Sequence, residues 1–116
     1  MSSAGADRIA QERARQKKAE GWTEEHDDRH KHDELALAAA CYAAPRAIYV
    51  KTVLARGGAQ YADPWPWSED WDKRHDVPAR LLMRELRIRD LEKAGALIAA
   101  EIDRLLRIEE KASRGQ

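Results

Sequence analysis

The stretch RDLEKAGALIAAEIDRL, residues 89–105, has the strongest periodicity in the chain and decides the expected fold. Two neighbouring lines of mostly apolar residues run through it at spacings of three and four. One line contains Ile88, Leu91, Gly95, Ile98, Ile102 and Leu105, and the other contains Ala94, Leu97, Glu101, Leu105 and Ile108. These spacings place each line on one side of an α-helix. Together they form a face wide enough for a small helical bundle, so we predict an all-α protein.

The remaining patterns predict a single helical domain over residues 1–116 with a long tryptophan-rich loop. Its expected parts are a polar helix over about 6–20, a loop over 21–32, helices over about 33–55, a tryptophan- and proline-rich loop over 57–77, and a helical region over about 78–112. Gly21 suits a helix end, and Asp33 or His32 suits the cap of the next helix. Pro45 suits a further first turn, although residues 48–54 are also good strand formers.

Composition limits the classes of partner. The 21 basic and 21 acidic residues give a formal net charge of zero, so no overall field attracts nucleic acid or an anionic membrane. No apolar run approaches the roughly 20 residues that span a bilayer, and the N-terminus lacks the apolar segment of a signal peptide. The single Cys41 cannot form an intramolecular disulfide. We expect a cytoplasmic protein that buries surplus apolar surface by forming a homo-oligomer.

Histidine and acidic residues are dense in HDDRHKHDE, residues 26–34. On a helix, His26 and His30, or Asp28 and His32, would lie one turn apart and could chelate a metal ion. The alternative is structural, because Asp27, Asp28 and Asp33 could satisfy backbone donors at a helix start. Both interpretations fit the sequence.

Glu101 interrupts the apolar face of the periodic stretch. A carboxylate there loses its hydration unless it meets a cation, a metal ion or a hydrogen-bond donor. A salt bridge to Arg13 or Arg46 would satisfy it. Alternatively, a bundle that brings Glu101 close to Asp28 and Glu34 would gather carboxylates able to hold Mg²⁺, the one cofactor that we consider.

Trp65, Trp67 and Trp71 lie within seven residues of one another, and Trp22 follows the first predicted helix. Their flat rings could stack on the bases of a ligand, an interaction worth roughly 1–3 kcal/mol per base in nucleic-acid binders. They could equally fold back to seal a small core, since the chain contains no phenylalanine.

Four segments carry a resemblance that covers most of the chain. They are ERARQKKAEGWTEEHDDRH (12–30), ELALAAACYA (34–43), DPWPWSEDWDKR (63–74) and RDLEKAGALIAAEIDRL (89–105). In this order they resemble small phage and prophage proteins of unassigned function. The resemblance implies a mostly helical phage protein, and it directs attention to Glu12, Trp22, His26, Asp27, Asp28, His30, Trp67 and Glu101. Residues 45–58 do not follow that pattern.

A weaker likeness is carried by Glu25-x-x-Asp28 and Glu69-x-x-Asp72. These pairs resemble the acidic motifs of all-α nucleotide pyrophosphohydrolases of the MazG type, which use Mg²⁺. The chain departs from that family because both pairs fall in predicted loops and no Glu-x-x-Glu precedes them on a helix. The likeness implies an Mg²⁺-dependent enzyme. For that alternative we take Asp28, Glu34 and Glu101, the carboxylates that a bundle could gather, as the provisional metal ligands.

We therefore expect a phage-type protein that binds a small nucleotide-like ligand and could sequester a host signalling nucleotide in the host cytoplasm. The expected ligand-binding residues are Glu12, Trp22, His26, Asp27, Asp28, His30, Trp65, Trp67 and Glu101. One alternative is Mg²⁺-dependent nucleotide pyrophosphohydrolysis. The other is a protein–protein interaction module that inhibits a partner through its helical surface.

Overall fold

The computed structural model describes residues 3–75 and 83–115. It contains helices α1 (Ala4–Ala19), α2 (Glu24–Asp28) and α3 (Glu34–Ala43), strands β1 (Val50–Val53) and β2 (Ala59–Ala62), a 3₁₀ turn (Glu69–Trp71) and the long helix α4 (Arg84–Arg114). The protein is mostly helical, as the sequence predicts. The expectation of an all-α fold is wrong in one element, because the two strands form an antiparallel hairpin.

The core lies between α3 and α4 and is built largely from alanine. Its buried members are Leu35, Ala38, Ala39 and Tyr42 from α3, and Ala94, Leu97 and Ala100 from α4. Small side chains allow the two helices to approach closely. Trp22, Trp65 and Trp67 pack against the edge of this core while staying partly exposed. The structural role expected for the tryptophans is therefore present.

Only one of the two predicted apolar lines of α4 faces the core. Ala94 and Leu97 are buried, whereas Leu91, Ile98, Ile102 and Leu105 remain between 42% and 51% exposed. The reason is that α3 covers the alanine-rich side of α4, while α1 covers a further side through mostly polar contacts. A strip of aliphatic side chains on α4 is left without cover.

Helix α1 packs on α4 through charge and one close contact. Its buried residues are Glu12, Arg13 and Gln16, which agrees with a polar helix. Arg89 of α4 contacts Glu12 at 2.7 Å. At Gly95 a Cβ atom would lie 2.6 Å from Cδ1 of Ile9, so the absence of a side chain there lets Ile9 reach the α4 backbone.

Glycine and threonine set the path from α1 to α3. Gly21 follows α1 with φ of +69°, as expected for a helix end, and the Trp22 amide donates to the Gln16 carbonyl at 3.1 Å. The predicted loop 21–32 is partly wrong, because Thr23 Oγ1 accepts from the His26 amide at 3.2 Å and begins the short helix α2. Asp33 precedes α3 in a left-handed conformation and makes no side-chain cap.

The predicted helix from Pro45 to about Ala55 is wrong. Val50–Val53 instead pairs with Ala59–Ala62, and Gly57 and Gly58, with φ of +93° and +82°, form the connecting turn. β-Branched residues favour the strand, and glycine alone tolerates such φ values without strain. The strand formers around Val50 therefore decided the local structure, and the two glycines end a strand rather than a helix.

The boundaries after the hairpin also differ in part from the prediction. The expected loop 57–77 includes β2 and the 3₁₀ turn Glu69–Trp71. Residues 76–82, which contain the predicted helix start at Pro78, lie outside the described residues. Helix α4 runs to Arg114, two residues beyond the expected end. In the described ranges no helix is both long and apolar enough to cross a membrane.

Candidate ligand-binding cavity

A cavity of about 560 Å³ lies where α1, α4 and the tryptophan segment 63–75 meet. Glu12 and Gln16 of α1 line it together with Glu20, which directly follows the helix; the three are spaced four residues apart and so share one face. Helix α4 contributes Arg89, Lys93 and Leu97 at the same spacing. The volume falls within the range of roughly 300–1,000 Å³ that is usual for small-molecule sites.

Six aromatic rings form a continuous arc along the cavity wall, and we call them the aromatic arc. In order of contact they are Trp22, His26, His30, Trp67, Trp65 and Tyr42. Neighbouring ring centroids lie 4.9–5.7 Å apart. The Trp22 and His26 rings are stacked with only 5° between their planes, whereas the other pairs meet edge to face or at a tilt. All six residues line the cavity.

Two carboxylates orient the histidines of the aromatic arc. His26 Nδ1 lies 3.1 Å from Asp27 Oδ1, and His30 Nδ1 lies 3.0 Å from Glu34 Oε2. An ionised carboxylate only accepts hydrogen bonds, so each pair requires the proton on Nδ1 and leaves Nε2 of a neutral ring as an acceptor. Asp27 and Glu34 are therefore positioning residues for the two imidazoles.

Polar contacts fold the tryptophan segment back onto α3. Asp63 Oδ1 accepts from the Trp65 amide at 2.8 Å, and Trp65 Nε1 donates to the Ser68 carbonyl at 3.0 Å. Arg74 pairs with both Asp63 and Asp72, and its guanidinium lies 5.4 Å from the centroid of the Trp65 ring. The Lys73 amide donates to the Tyr42 hydroxyl at 3.1 Å. These contacts fix Trp65 at the cavity, and Trp67 packs edge to face against the Trp65 ring.

Charged residues of both signs line the cavity. Glu12 is buried, and burial opposes its ionisation, but hydrogen bonds and charges from Arg15 and Arg89 outweigh this effect and hold the pKa of Glu12 below its usual value. Arg15 also reaches Glu20 at 3.0 Å, and its partners raise the pKa of its guanidinium. The two arginines are thus largely neutralised by carboxylates of the protein.

Lys73 and Lys93 give the cavity its surplus positive charge. In the described part of the chain, no carboxylate oxygen lies within 4 Å of either ammonium group. The Lys93 ammonium lies 5.6 Å from the centroid of the Tyr42 ring. Burial, together with the charge of Arg89, lowers the pKa of Lys93 from its ordinary value. An anion bound beside Lys93 would offset this cost of burying an unpaired cation.

Two buried polar atoms of cavity-lining residues lack a hydrogen bond. They are Trp67 Nε1, a donor, and Gln16 Oε1, an acceptor, for which residues 3–75 and 83–115 provide no partner. An unmet buried donor or acceptor costs about 1–3 kcal/mol. A bound molecule that offers both an acceptor and a donor could reduce this cost after small side-chain adjustments.

The structure brings together six of the nine residues predicted to bind a ligand. Glu12, Trp22, His26, His30, Trp65 and Trp67 line the cavity. The other three do not. Asp27 is fully buried against Arg13 at 2.9 Å, Asp28 pairs with Arg107 at 2.7 Å, and Glu101 is buried against Arg104. The expected salt bridge from Glu101 to an arginine exists, but with Arg104 rather than Arg13 or Arg46.

The three predicted Mg²⁺ ligands are not assembled into a site. Arg107 holds the pKa of Asp28 below its usual value, and Glu101 is occupied by Arg104. Burial disfavours ionised Glu34, but the His32 amide and the His30 ring lower its pKa overall. Among residues 3–75 and 83–115, no group of three His, Cys, Asp or Glu side chains is close enough to share a metal ion.

Several cavity residues escaped the sequence analysis, among them Gln16, Tyr42, Arg89 and Lys93. Their spacing holds a usable signal, because Glu12, Gln16 and Glu20 repeat every four residues on α1, as Arg89, Lys93 and Leu97 do on α4. Two such rows line one cavity here because α1 and α4 pack together. The sequence does not show that α1 and α4 are neighbours, so the two rows could not be combined.

No family model, curated protein or solved structure matches this chain. The resemblances to phage proteins and to MazG-type enzymes therefore stay predictions. Any inference about function rests on the cavity and on the sequence pattern.

Proposed function

We propose that this protein binds a small, planar, negatively charged molecule of nucleotide type in the cavity and holds it without turnover. The aromatic arc, with the Lys93 ammonium beside its Tyr42 end, carries the proposal. Aromatic faces stack on flat heterocycles, and a half-buried ammonium without a carboxylate partner attracts a phosphate or another anion. A nucleotide combines both features in one molecule.

The polar atoms of the cavity support the same ligand class. A nucleobase edge carries donors and acceptors, the partners that Gln16 Oε1 and Trp67 Nε1 lack. The imidazoles of His26 and His30, oriented by their carboxylates, can each offer Nε2 as an acceptor. Stacking alone tolerates any base, so these groups would supply selectivity.

The arrangement favours sequestration over the pyrophosphohydrolase alternative. That reaction would use carboxylates gathered around Mg²⁺, whereas Asp28 and Glu101 form ion pairs with different arginines outside the cavity. Of the three carboxylates, Glu34 alone is near the aromatic arc, and it holds His30. We infer a binding protein, and the resemblance to phage proteins suggests that it captures a host signalling nucleotide in the cytoplasm and so weakens a defence response.

A thermal-shift screen with linear and cyclic nucleotides and the matching nucleosides tests the proposal. A ligand that binds only the folded state raises the melting midpoint. We expect at least one nucleotide to do so, and we expect Trp67→Ala to abolish its shift. Lys93→Gln should reduce the nucleotide shift while sparing that of the nucleoside. Tyr61→Ala, on the exposed hairpin, is the matched control and should keep the full response.

A second measurement separates capture from catalysis. The protein is incubated with the responding nucleotide and Mg²⁺, then denatured by heat, and the released molecule is analysed. Intact nucleotide supports sequestration, whereas monophosphate and pyrophosphate would establish the enzyme alternative. If no compound in the screen shifts the midpoint, the cavity proposal is wrong and an interaction module becomes the better hypothesis.

A further inference from the structure

The uncovered aliphatic residues of α4 form a stripe that we define as Leu91, Ile98, Ile102 and Leu105. Their side chains are 42–51% exposed, and they lie within about 60° of one another around the helix axis. The cavity residues Arg89 and Lys93 lie on the opposite side of α4, so the stripe is separate from the proposed ligand site. A contiguous apolar patch of this kind marks an interaction surface.

The stripe is symmetric along its length. Arg84 lies at its N-terminal end and Glu109 at its C-terminal end, both on the same side of the helix as Leu91. We lay a second α4 antiparallel over the first, with the centre between Ala96 and Leu97. The two residues of each facing pair then lie equally far from this centre, one on either side of it. Arg84 then faces Glu109 of the second copy, Leu91 faces Ile102, and Ile88 faces Leu105.

We propose that the occupant of the stripe is a second copy of this chain, bound through an antiparallel α4–α4 pair with two-fold symmetry. Such an interface uses the same surface on both copies and must be self-complementary, which this stripe is in its charged ends and its apolar centre. Parallel pairing would instead place Arg84 against Arg84 and Glu109 against Glu109, which charge repulsion disfavours.

The available area is sufficient for a dimer of moderate affinity. Leu106 and Ile108, which are 55% and 51% exposed, extend the apolar surface beside the stripe. Together the six side chains offer roughly 500 Å² per copy, so a pair would bury about 1,000 Å², at the lower limit for specific association. We therefore expect a dimer that dissociates on dilution.

Sedimentation velocity of the full chain over a concentration series tests the interface. We expect a reversible dimer, and we expect Ile98→Glu to make the protein monomeric with an unchanged helical circular dichroism spectrum. Tyr61→Glu, which charges the equally exposed hairpin, is the control and should leave the dimer intact. A chain that stays monomeric at the highest concentration, or a dimer that is lost with Tyr61→Glu but kept with Ile98→Glu, would overturn the proposal.

Charge exchange tests the antiparallel register. Arg84→Glu alone and Glu109→Arg alone should each weaken the dimer, by about tenfold if both symmetric contacts become repulsive. The double variant Arg84→Glu/Glu109→Arg should restore wild-type affinity, because every antiparallel contact again joins opposite charges. A parallel dimer would show no loss with either single variant, and that result would refute the register. Ligand binding is unaffected by these variants if the two proposals are independent.

Discussion

Asp27 shows how one buried carboxylate serves both stability and the site. It is fully buried, receives Arg13 at 2.9 Å and orients the ring of His26 on the cavity wall. Truncating one partner of a buried ion pair leaves the other charged and desolvated. Its conspicuous place in the sequence suggested a ligand contact, but its partners make it structural.

We predict that Asp27→Asn lowers the free energy of unfolding by about 3 kcal/mol, since Arg13 would lose its buried counter-charge. Urea denaturation followed by circular dichroism measures the change. Asp103→Asn is the matched control, because Asp103 is 3.7 Å from the same guanidinium but 45% exposed, and its loss should cost less than about 0.5 kcal/mol. Equal losses for the two variants would contradict the structural role of Asp27.

The lowered pKa of Lys93 predicts how ligand affinity depends on pH. Burial favours the neutral amine, so as pH rises Lys93 loses its charge before an ordinary lysine does. As pH rises, affinity for an anionic ligand should therefore begin to fall before the pH reaches about 10.4, the usual lysine value. Isothermal titration between about pH 7 and pH 10 measures this dependence.

Arginine at the same position provides the control for this pH effect. Lys93→Arg keeps a permanent charge, so its affinity should stay level over the range in which the wild-type affinity declines. If Lys93→Arg and the wild type share one pH profile, Lys93 does not contact the anion.

At the scale of elements, sequence periodicity was informative where one pattern dominated. Helix α4 was predicted from its spacing, and the end of α1 from Gly21, because both depend on local geometry. The segment around Val50 was ambiguous, since β-branched residues and the pair Gly57–Gly58 suit a hairpin as well as a terminated helix. Pairing with Ala59–Ala62 resolved it, and pairing is a non-local contact that propensity does not contain.

The hairpin is predicted to be dispensable for the cavity. Every residue of β1 and β2 is exposed, so neither strand contributes a buried side chain to the core. Val50 and Ala62 are paired across the strands, so a short Gly-Ser linker can join the flanking residues in place of 50–62. We expect the melting midpoint to change by less than about 3 °C and the nucleotide response to persist.

This deletion has a clear contrary result. Loss of the thermal response on removal of residues 50–62, with the helical signal retained, would mean that the hairpin completes the binding site. The comparison should be made with Trp67→Ala, which removes cavity surface without altering chain length. The deletion then tests the hairpin, and Trp67→Ala tests the aromatic arc.

At the scale of the whole molecule, six of the sixteen residues that line the candidate cavity could be predicted. The histidine segment and the tryptophan segment were expected to converge, and His30 does lie beside Trp67, with ring centroids 5.1 Å apart. Asp27 and Asp28 were misplaced because each pairs with an arginine that is distant in the sequence, whereas the partner of Glu101 is Arg104, only three residues away. Asp28 pairs with Arg107, which is 79 residues away along the chain. The partner of a charged side chain depends on how the helices finally pack. An aromatic side chain near the edge of the core has fewer places where it can be buried.

The many buried ion pairs predict that the whole fold is sensitive to acid. The folded-state pKa of Glu12 lies below its usual value of about 4.3, so its contribution is fully present above that pH and is lost as pH falls through the folded value. Asp28 adds in the same direction, but its side chain is 34% exposed and its contribution is more strongly screened. Where a carboxylate is protonated in the unfolded state but ionised in the folded state, the free energy of unfolding changes by up to about 1.4 kcal/mol for each pH unit.

Urea titrations at a series of pH values between about 7 and 3 should therefore show stability falling steeply at the acidic end. Glu12→Gln should be less stable than the wild type at neutral pH, because Arg15 and Arg89 lose their shared partner, yet it should lose less on acidification. Glu25→Gln, at an exposed position of α2, is the control and should follow the wild-type curve. Parallel curves for the wild type and Glu12→Gln would show that this buried carboxylate is not linked to folding. The ion pairs that join α1 to α4 would then contribute specificity of packing rather than stability.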